Sequence, residues 1–554
     1  MLMKQVVASI ALELSGERGM RGSIAWLVLA MCFAVTPAMA QRAAEPAVVP
    51  APRVHVDDFK VTGNTLMPSQ AIDAVLLPYK GQRTINELKQ AAAAVQELYA
   101  KAGYGAVIAF VPEQSPAGGV VEIRVVEGRL SDVVIEGNSH FSKRNILASL
   151  PALQTGSTPN LRTLDAQVQM ANENPSKQVQ VLLQPGARTG EAQAKVSVEE
   201  RAPLRWWVGL DDTGDEETGR VRANAGVQHA NLFDRDHVLA AQVQASVEHP
   251  SDSLVVSGAY RVPFYSSRLL LDALAARAEV DGGTTATLAG GLRFTGTGRL
   301  FGLRLTRLLD RWREYDQRVS VSLEDRDYDN SCNIEGLPPG ACGPAGESVT
   351  VQPLGLEYAL RGFGELPLGL SVSVQHNLQW GGGNSGDEHF EAVRPGAKPR
   401  YTLLRLAASG GTAFEGDWRL QGRVNAQWTN DALVPSEQFG IGGAYSVRGY
   451  EERELAGDRG AGGTIELVSP ETLIRATVGE LRLVAFGDVG GVQNQLETPC
   501  LEGRTSCSMA SVGIGARYLH SAFKAGVYLA YALKEALRTS KHTGRAHFFI
   551  SYAP

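Results

Sequence analysis

From residue 204 to the end of the chain, apolar and polar residues alternate in short runs separated by turn-forming residues. The clearest run places Trp418, Leu420, Gly422, Val424, Ala426 and Trp428 at one parity, and Arg419, Gln421, Arg423, Asn425 and Gln427 at the other. A period of two predicts an extended strand with unlike faces, one suited to lipid and one to water. A strand of this length, at ~3.3 Å per residue and tilted near 45°, rises roughly 25 Å, the height of the apolar band of a membrane barrel. Similar alternation runs through 318–323, 370–378 and 512–518. A soluble β-sandwich has the same period, so the number of strands must arbitrate. About 16 segments follow Leu204, joined alternately by tight and long links. The tight links include 363–365 and 415–417, and the long ones 330–347, 381–398, 433–460 and 493–508, all of them on one side. The pattern predicts a transmembrane antiparallel β-barrel over 204–554, closed by a strand at 545–554.

Ahead of that region one pattern occurs twice. Val61, Gly63, Asn64, Ile72 and Leu76 recur at a fixed offset as Ile135, Gly137, Asn138, Ile146 and Leu150, which is self-similarity over whole modules. Each copy opens with a strand ending in a Gly-Asn turn signal. Thr84 and Glu87 predict a capping box before a helix whose apolar stripe is Ile85, Leu88, Ala92, Val95, Tyr99 and Ala102, ended by Gly103. Two strands follow in each copy, at 105–111 and 120–126 and then at 177–183 and 192–198. The predicted order is strand, helix, helix, strand, strand, with modules at 55–128 and 129–203.

The amino terminus reads as an export leader. Arg18 and Arg21 precede an apolar run, 24–35, too short to span a bilayer, and Ala38-Met39-Ala40 supplies a small-residue cleavage pattern. Cleavage is expected after Ala40, leaving a linker over 41–54; Met20 is an alternative start. The net charge of -6 and the lack of a basic run give no nucleic-acid signature. A mean hydropathy of -0.11 excludes a helical membrane bundle but allows a barrel. Past the leader, the cysteines fall as two local pairs, Cys332 with Cys342 and Cys500 with Cys507, and two short disulfides are expected in an oxidising compartment. No metal site is expected, because the spacing lacks C-x-x-C and no histidine lies nearby.

The order of elements, the Gly-Asn turns and the Val126-Glu127-Gly128 ending resemble the POTRA module of outer-membrane assembly and secretion proteins. Such a sheet offers an open edge that an extended client can join by strand addition. The expected docking edges are Gly105, Ala106, Val107, Ile108, Ala109, Phe110 and Val111 in the first module. In the second they are Lys177, Gln178, Val179, Gln180, Val181, Leu182 and Leu183.

Two further motifs sharpen the resemblance: Val447-Arg448-Gly449-Tyr450 in the third of the long links above, and Phe486-Gly487-Asp488-Val489-Gly490 on a strand after it. With leader, two modules and about 16 strands, the chain resembles the transporter partner of two-partner secretion, the hemolysin-activator and filamentous-hemagglutinin transporter group. The resemblance implies that a sixth surface loop, about 433–460, folds into the pore and sets Arg448 against Asp488 on the inner wall. Phe486, Gly487 and Gly490 would complete the wall motif, the glycines admitting the loop backbone. It also implies an outer-membrane location with the modules in the periplasm, an unfolded secreted exoprotein as client, and contact with outer-membrane lipid and with the assembly machinery during biogenesis. The short Ala/Pro-rich linker leaves little room for a plug helix, and Tyr552 stands in for a terminal aromatic.

No nucleotide-binding, metalloprotease or serine-hydrolase motif occurs, so neither an enzyme nor a cofactor is expected. Two other readings share parts of the pattern. An assembly factor for other barrels has the loop and wall motifs but usually more modules, and a passive diffusion porin needs no modules.

Overall fold

Two α+β modules open the described chain, each built around its Gly-Asn turn. The computed structural model describes residues 52–554 apart from 116, 189, 217, 251–252, 280–282, 288–289, 295–297, 330–346, 363–367 and 472–477. The leader, most of the linker, the tight link at 363–365 and the pair Cys332 and Cys342 lie outside the described residues.

In the first module the strands are β1 (Arg53–Val56), β2 (Asp58–Thr62), β3 (Gly81–Thr84), β4 (Val107–Phe110) and β5 (Val120–Glu127), with helices α1 (Ser69–Leu76) and α2 (Ile85–Lys101). The main sheet runs β2-β5-β4, parallel then antiparallel, while β1 pairs with β3. The second module repeats this with β6 (Arg129–Glu136), α3 (Lys143–Ser149), α4 (Leu161–Ala171), β7 (Lys177–Pro185) and β8 (Glu191–Glu200), in the order β6-β8-β7. Gly63 and Gly137 take φ of +83° and +87°, and a Cβ at either would lie 2.2 Å from the carbonyl oxygen of Val125 or Val198. Only glycine fits, which is why the same word appears twice.

The Thr84–Glu87 capping box is formed, and α2 buries Leu88, Ala91, Ala92, Val95 and Tyr99. Ile85 departs from the expected stripe. It is 55% exposed at the first helical position, where the side chain has no turn beneath it, and Ala91 is buried instead. At the end of β5, Glu127 accepts the N–H groups of Thr65 (2.7 Å) and Leu66 (2.9 Å) and the Tyr99 hydroxyl (2.9 Å). Glu200 does the same for the N–H groups of Ser139 (2.8 Å), His140 (2.5 Å) and Phe141 (3.2 Å). Each carboxylate thus clamps the chain just past a Gly-Asn turn.

Burial works to raise the Glu127 carboxyl, but the hydrogen bonds from Thr65, Leu66 and Tyr99 outweigh it and hold the group below the usual glutamate value of 4.5. A folded value below the unfolded one means stability that is full above pH 4.5 and lost as pH falls through the lower folded value. We expect Glu127→Gln to cost about 1–2 kcal/mol. In the whole protein, amide exchange at Thr65 and Leu66 should quicken both in this variant and on acidification of the wild type.

Beyond residue 203 sixteen antiparallel strands, from Leu204–Asp211 to Gly544–Tyr552, close into a barrel; one wall strand is interrupted at Gln352, between Val349–Val351 and Pro353–Gly362. Leu303, Leu356, Val424, Ile465, Val489, Ile514 and Leu529 point outward and are exposed, whereas Asp272, Glu324, Gln427, Asp488 and His547 point inward and are buried. An exposed apolar band of that extent is stable only against lipid. Long connections gather at one end and short turns at the other, where the modules attach.

Two joints hold the second module to the barrel. The Lys177 ammonium lies 2.6 Å from Asp236 of the Leu232–His237 turn, with both side chains fully buried, and it also donates to Asn145 (2.9 Å). Asn174 donates to the Ala230 carbonyl (2.7 Å), and the Tyr265 hydroxyl donates to Asp236. On α4, Asp165 and Gln169 share one face, and with Glu173 just past its end they meet Arg311 (3.3 Å), Asp316 (2.6 Å) and Arg318 (3.0 Å) at the next turn but one and the start of the strand after it.

The ring closes on its shortest joint. The last strand pairs with the first over four positions, Phe549 with Asp211 through Tyr552 with Val208. With its other neighbour it pairs over nine, from Phe523 with Tyr552 to Tyr531 with Gly544.

Candidate functional site

The sixth long connection, between Trp428 and Arg459, does not stay outside. Its Phe439–Ile441 and Leu455–Gly457 stretches pair as a hairpin. The tip between them is buried against the inner wall: Val447 and Tyr450 are fully buried and Arg448 is 2% exposed.

Arg448 is met by a row of side chains from adjacent wall strands. Its Nε and Nη2 donate to the two oxygens of Asp488, each at 2.8 Å, and its own N–H donates to Asp488 at 3.0 Å. Nη1 donates to Glu466 at 2.8 Å, and Glu466 in turn accepts from Arg517 at 2.5 Å. The guanidinium carbon lies 3.5 Å over the centre of the Phe486 ring and 5.2 Å from that of Tyr528. The result is a charge-balanced chain, Asp488–Arg448–Glu466–Arg517, buried at Asp488 and Arg448 under aromatic rings and part-exposed at Arg517. Both carboxylates are buried, at 3% and 9% exposure. Such a group is costly to break by removing one member.

The neighbours of Arg448 are held as well. The Gly449 N–H donates to His547 Nε2 (2.9 Å), and His547 Nδ1 lies 2.7 Å from Asp212, an arrangement that needs the ring hydrogen on Nδ1. Asp212 also accepts the Phe548 N–H at 2.9 Å, so the loop tip is tied to the joint between first and last strands. Gly449 has φ +92° and packs on Ala530. The Tyr450 hydroxyl sits between the carbonyls of Ala510 (2.9 Å) and Lys534 (2.8 Å) and accepts the Lys534 N–H (3.1 Å).

The wall glycines divide. A Cβ at Gly490 would lie 3.1 Å from both Ile441 and Val447, so this glycine admits the loop. Gly487 does not serve that purpose: it points out of the barrel, and a Cβ there would meet nothing nearer than 3.9 Å. Alternation explains it, since Phe486, Asp488 and Gly490 share the inward parity.

Two stations secure the base of the loop. Asp458 accepts from Arg394 of the fifth connection (2.5 and 3.1 Å), and Glu437 accepts from Arg326 (2.7 Å) and Tyr328 (3.2 Å). Cys500 of the seventh connection is joined to Cys507 at the start of the strand after it, and both pack in the apolar cluster that seats Val447 and Tyr450.

On the modules, β4 and β7 each form one of the two edges of their sheets. The free length differs from that expected. β4 is confined to Val107–Phe110, so Gly105, Ala106 and Val111 lie outside the strand, and Gln96 of α2 accepts the outward Ala109 N–H (3.4 Å). On β7, Asn172 takes both outward groups of Val179 (2.6 and 3.1 Å), and Lys177 is spent on Asp236. Gln178 and Gln180 alternate with these, and the open edge of β7 begins at Val181, beside the 59% exposed Leu182; on β4 the exposed residues are Ile108 and Phe110.

Glu466, Arg517, Tyr528, His547 and Asp212 do not belong to either sequence motif. The available signal was a charge at an inward parity on a strand flanking the wall motif, as in the run Thr464-Ile465-Glu466-Leu467.

Residues 190–518 match the model of the haemolysin secretion/activation protein family ShlB/FhaC/HecB, and residues 54–128 match the ShlB-type POTRA domain. The outer membrane transporter CdiB of Dickeya dadantii is 23% identical over 479 residues, covering 86% of this chain and 82% of that protein. CdiB of Escherichia coli is 25% identical over 501 residues, covering 87% and 80%. Among solved structures, CdiB from Escherichia coli superposes with a TM-score of 0.72 at 20% identity, over 92% of this chain and 93% of that one. BamA from Haemophilus ducreyi lacking POTRA domains 1-3 gives 0.51 at 13%, over 90% and 100%.

Proposed function

Because the chain belongs to the haemolysin secretion/activation family, outer-membrane transporters of two-partner secretion with periplasmic POTRA domains, we propose that Arg448 and Asp488 form the latch of its pore. In this reading the loop hairpin stoppers the lumen at rest and withdraws when a client arrives. The observation that carries it is the two-pronged Arg448–Asp488 contact, made by a loop residue on a barrel wall and buried from water. It is stronger than a surface ion pair, which would not hold a loop, and its hydrogen bonds are few enough to be exchanged.

The client docks first on the POTRA edges, by main-chain pairing to β4 and to β7 from Val181 onward. Main-chain pairing tolerates many sequences and suits an unfolded secreted exoprotein. The parity set by Val179 turns the Val181 N–H outward, so proline there removes an edge donor and leaves the β7–β8 ladder intact. We expect Val181→Pro to reduce capture of the client's amino-terminal domain by about tenfold, while Gln178→Ala, at the other parity, leaves it near wild type. Pull-down by the whole transporter in detergent, with a candidate exoprotein as bait, is the measurement. Undiminished capture by Val181→Pro with β7 intact would remove this edge from the reading.

A further inference from the structure

Arg423 is a lumen-facing cation that the latch does not use. Its Nε donates to the Thr464 hydroxyl at 3.3 Å, a neutral and long hydrogen bond, and it stands in no ion pair among the described residues. It lines the same cavity of about 250 Å³ as Arg448, Glu466 and Arg517. Asp211, another carboxylate on that cavity, is already satisfied by Thr213 (3.1 Å to its N–H) and by Asn224 (3.4 Å).

Strand register fixes where Arg423 can reach. Arg423 is opposite Thr464, and Thr464 is opposite Asp488, so the three form one inward row across adjacent strands. The backbones of Arg423 and Asp488 are therefore about 10 Å apart, a gap that a long arginine stem and a carboxylate reaching toward it can close over the small threonine.

The charges give this reach a purpose. With the loop seated, Arg448 and Arg517 pair with Asp488 and Glu466, Arg423 touches no carboxylate among the described residues, and with Asp211 counted the site holds three cations and three carboxylates. With the loop withdrawn, the wall keeps Asp211, Asp488 and Glu466 against Arg517 and Arg423, and of these two cations Arg423 is the one not already in an ion pair. Were Arg448 the only partner of Asp488, withdrawal would leave the carboxylate beside the Phe486 and Tyr528 rings with entering water alone to replace three hydrogen bonds, and opening would be rarer.

We propose that Arg423 is the replacement partner of Asp488, turning from Thr464 to the carboxylate as the loop tip leaves. This rests on the latch reading above, and it assigns Arg423 as a positioning residue of the open state.

Single-channel recordings of the full-length protein in planar bilayers read loop withdrawal as large openings. Arg423→Gln is expected to make them about tenfold rarer, the effect of roughly 1.4 kcal/mol, water admitted on opening having softened the full penalty. Arg423→Lys, which keeps the charge, should restore them to within about threefold of wild type. In an Asp488→Asn background no carboxylate awaits a partner, so adding Arg423→Gln should change the opening rate less than about twofold. Equal openings in Arg423→Gln and wild type overturn the proposal, as does an equal loss in both backgrounds, which marks a packing role. Arg448→Ala separates the two readings. If it leaves openings unchanged, the latch reading falls and this proposal with it; if it raises them while Arg423→Gln does nothing, only the present proposal fails.

Discussion

Asp488→Ala is expected to cut surface delivery of the client by at least tenfold while the barrel still inserts and folds. The carboxylate is 3% exposed and takes three hydrogen bonds from one residue, the N–H, Nε and Nη2 of Arg448. Truncating it leaves a guanidinium with two of its prongs and a main-chain N–H unpaired in a buried site, a loss of about 3–5 kcal/mol. The Gly449–His547 and Tyr450 contacts remain, but they satisfy neither the freed guanidinium prongs nor the Arg448 N–H. Arg448→Ala should act alike. Asp488→Asn keeps one acceptor oxygen and should be milder than alanine. Arg448→Lys keeps the charge but gives up both the fork and the flat stacking on Phe486, and should fall near the alanine variant. Secreted client in the medium, set against heat-shifted migration of the barrel on gels, separates export from insertion. Export at wild-type level by both Asp488→Ala and Arg448→Ala would sink the latch.

The second large effect is expected where the modules meet the barrel. Lys177 and Asp236 are fully buried 2.6 Å apart, and burial of the ammonium makes this a joint that must be complete or absent. Lys177→Met alone leaves Asp236 with only Asn145, Asn174 and Tyr265 as donors. Asp236→Leu alone leaves an ammonium with Asn145. Each should loosen the joint by about 3–5 kcal/mol, and the pair Lys177→Met with Asp236→Leu should recover only part of the loss, since the two apolar groups need no partners but the Tyr265 hydroxyl loses its acceptor and leucine is strained at the positive φ of position 236. Amide exchange over 230–237 and over β7 in the full chain is the measurement. Single variants as protected as the wild type would show that α4 alone holds the module.

These two sites mark how far the sequence could be read. The alternation at 418–428 was legible because a barrel wall has lipid on one side and a polar lumen on the other, so parity reports the face directly. The repeated Gly-Asn was legible because a carbonyl occupies the space where a side chain would go. The family motifs brought Arg448 and Asp488 to attention because they lie on one loop and one strand. Glu466, Arg517, His547 and Asp212 reach the same point from other strands, and only the register of the closed ring brings them there. The parity rule also corrects Gly487, which shares the motif but faces outward. Lys177 was misread for a related reason: an edge strand looks free in sequence, and what covers its first residues is a turn of a different domain. Asn172 and Gln96, which occupy parts of the two edges, are ordinary helix-surface amides until the strands are placed beside them.

The four-position joint between first and last strands has a bearing on how the molecule is made. A cylinder of hydrogen-bonded strands must be completed by its two extremes meeting, and here the closing strand is made after the other fifteen. The side chain of Asp212, by accepting the Phe548 N–H, adds a stitch just past the backbone ladder. A chain so arranged can be handed to a membrane as an open, curling ribbon and sealed there as its final act, with the least work left for the sealing.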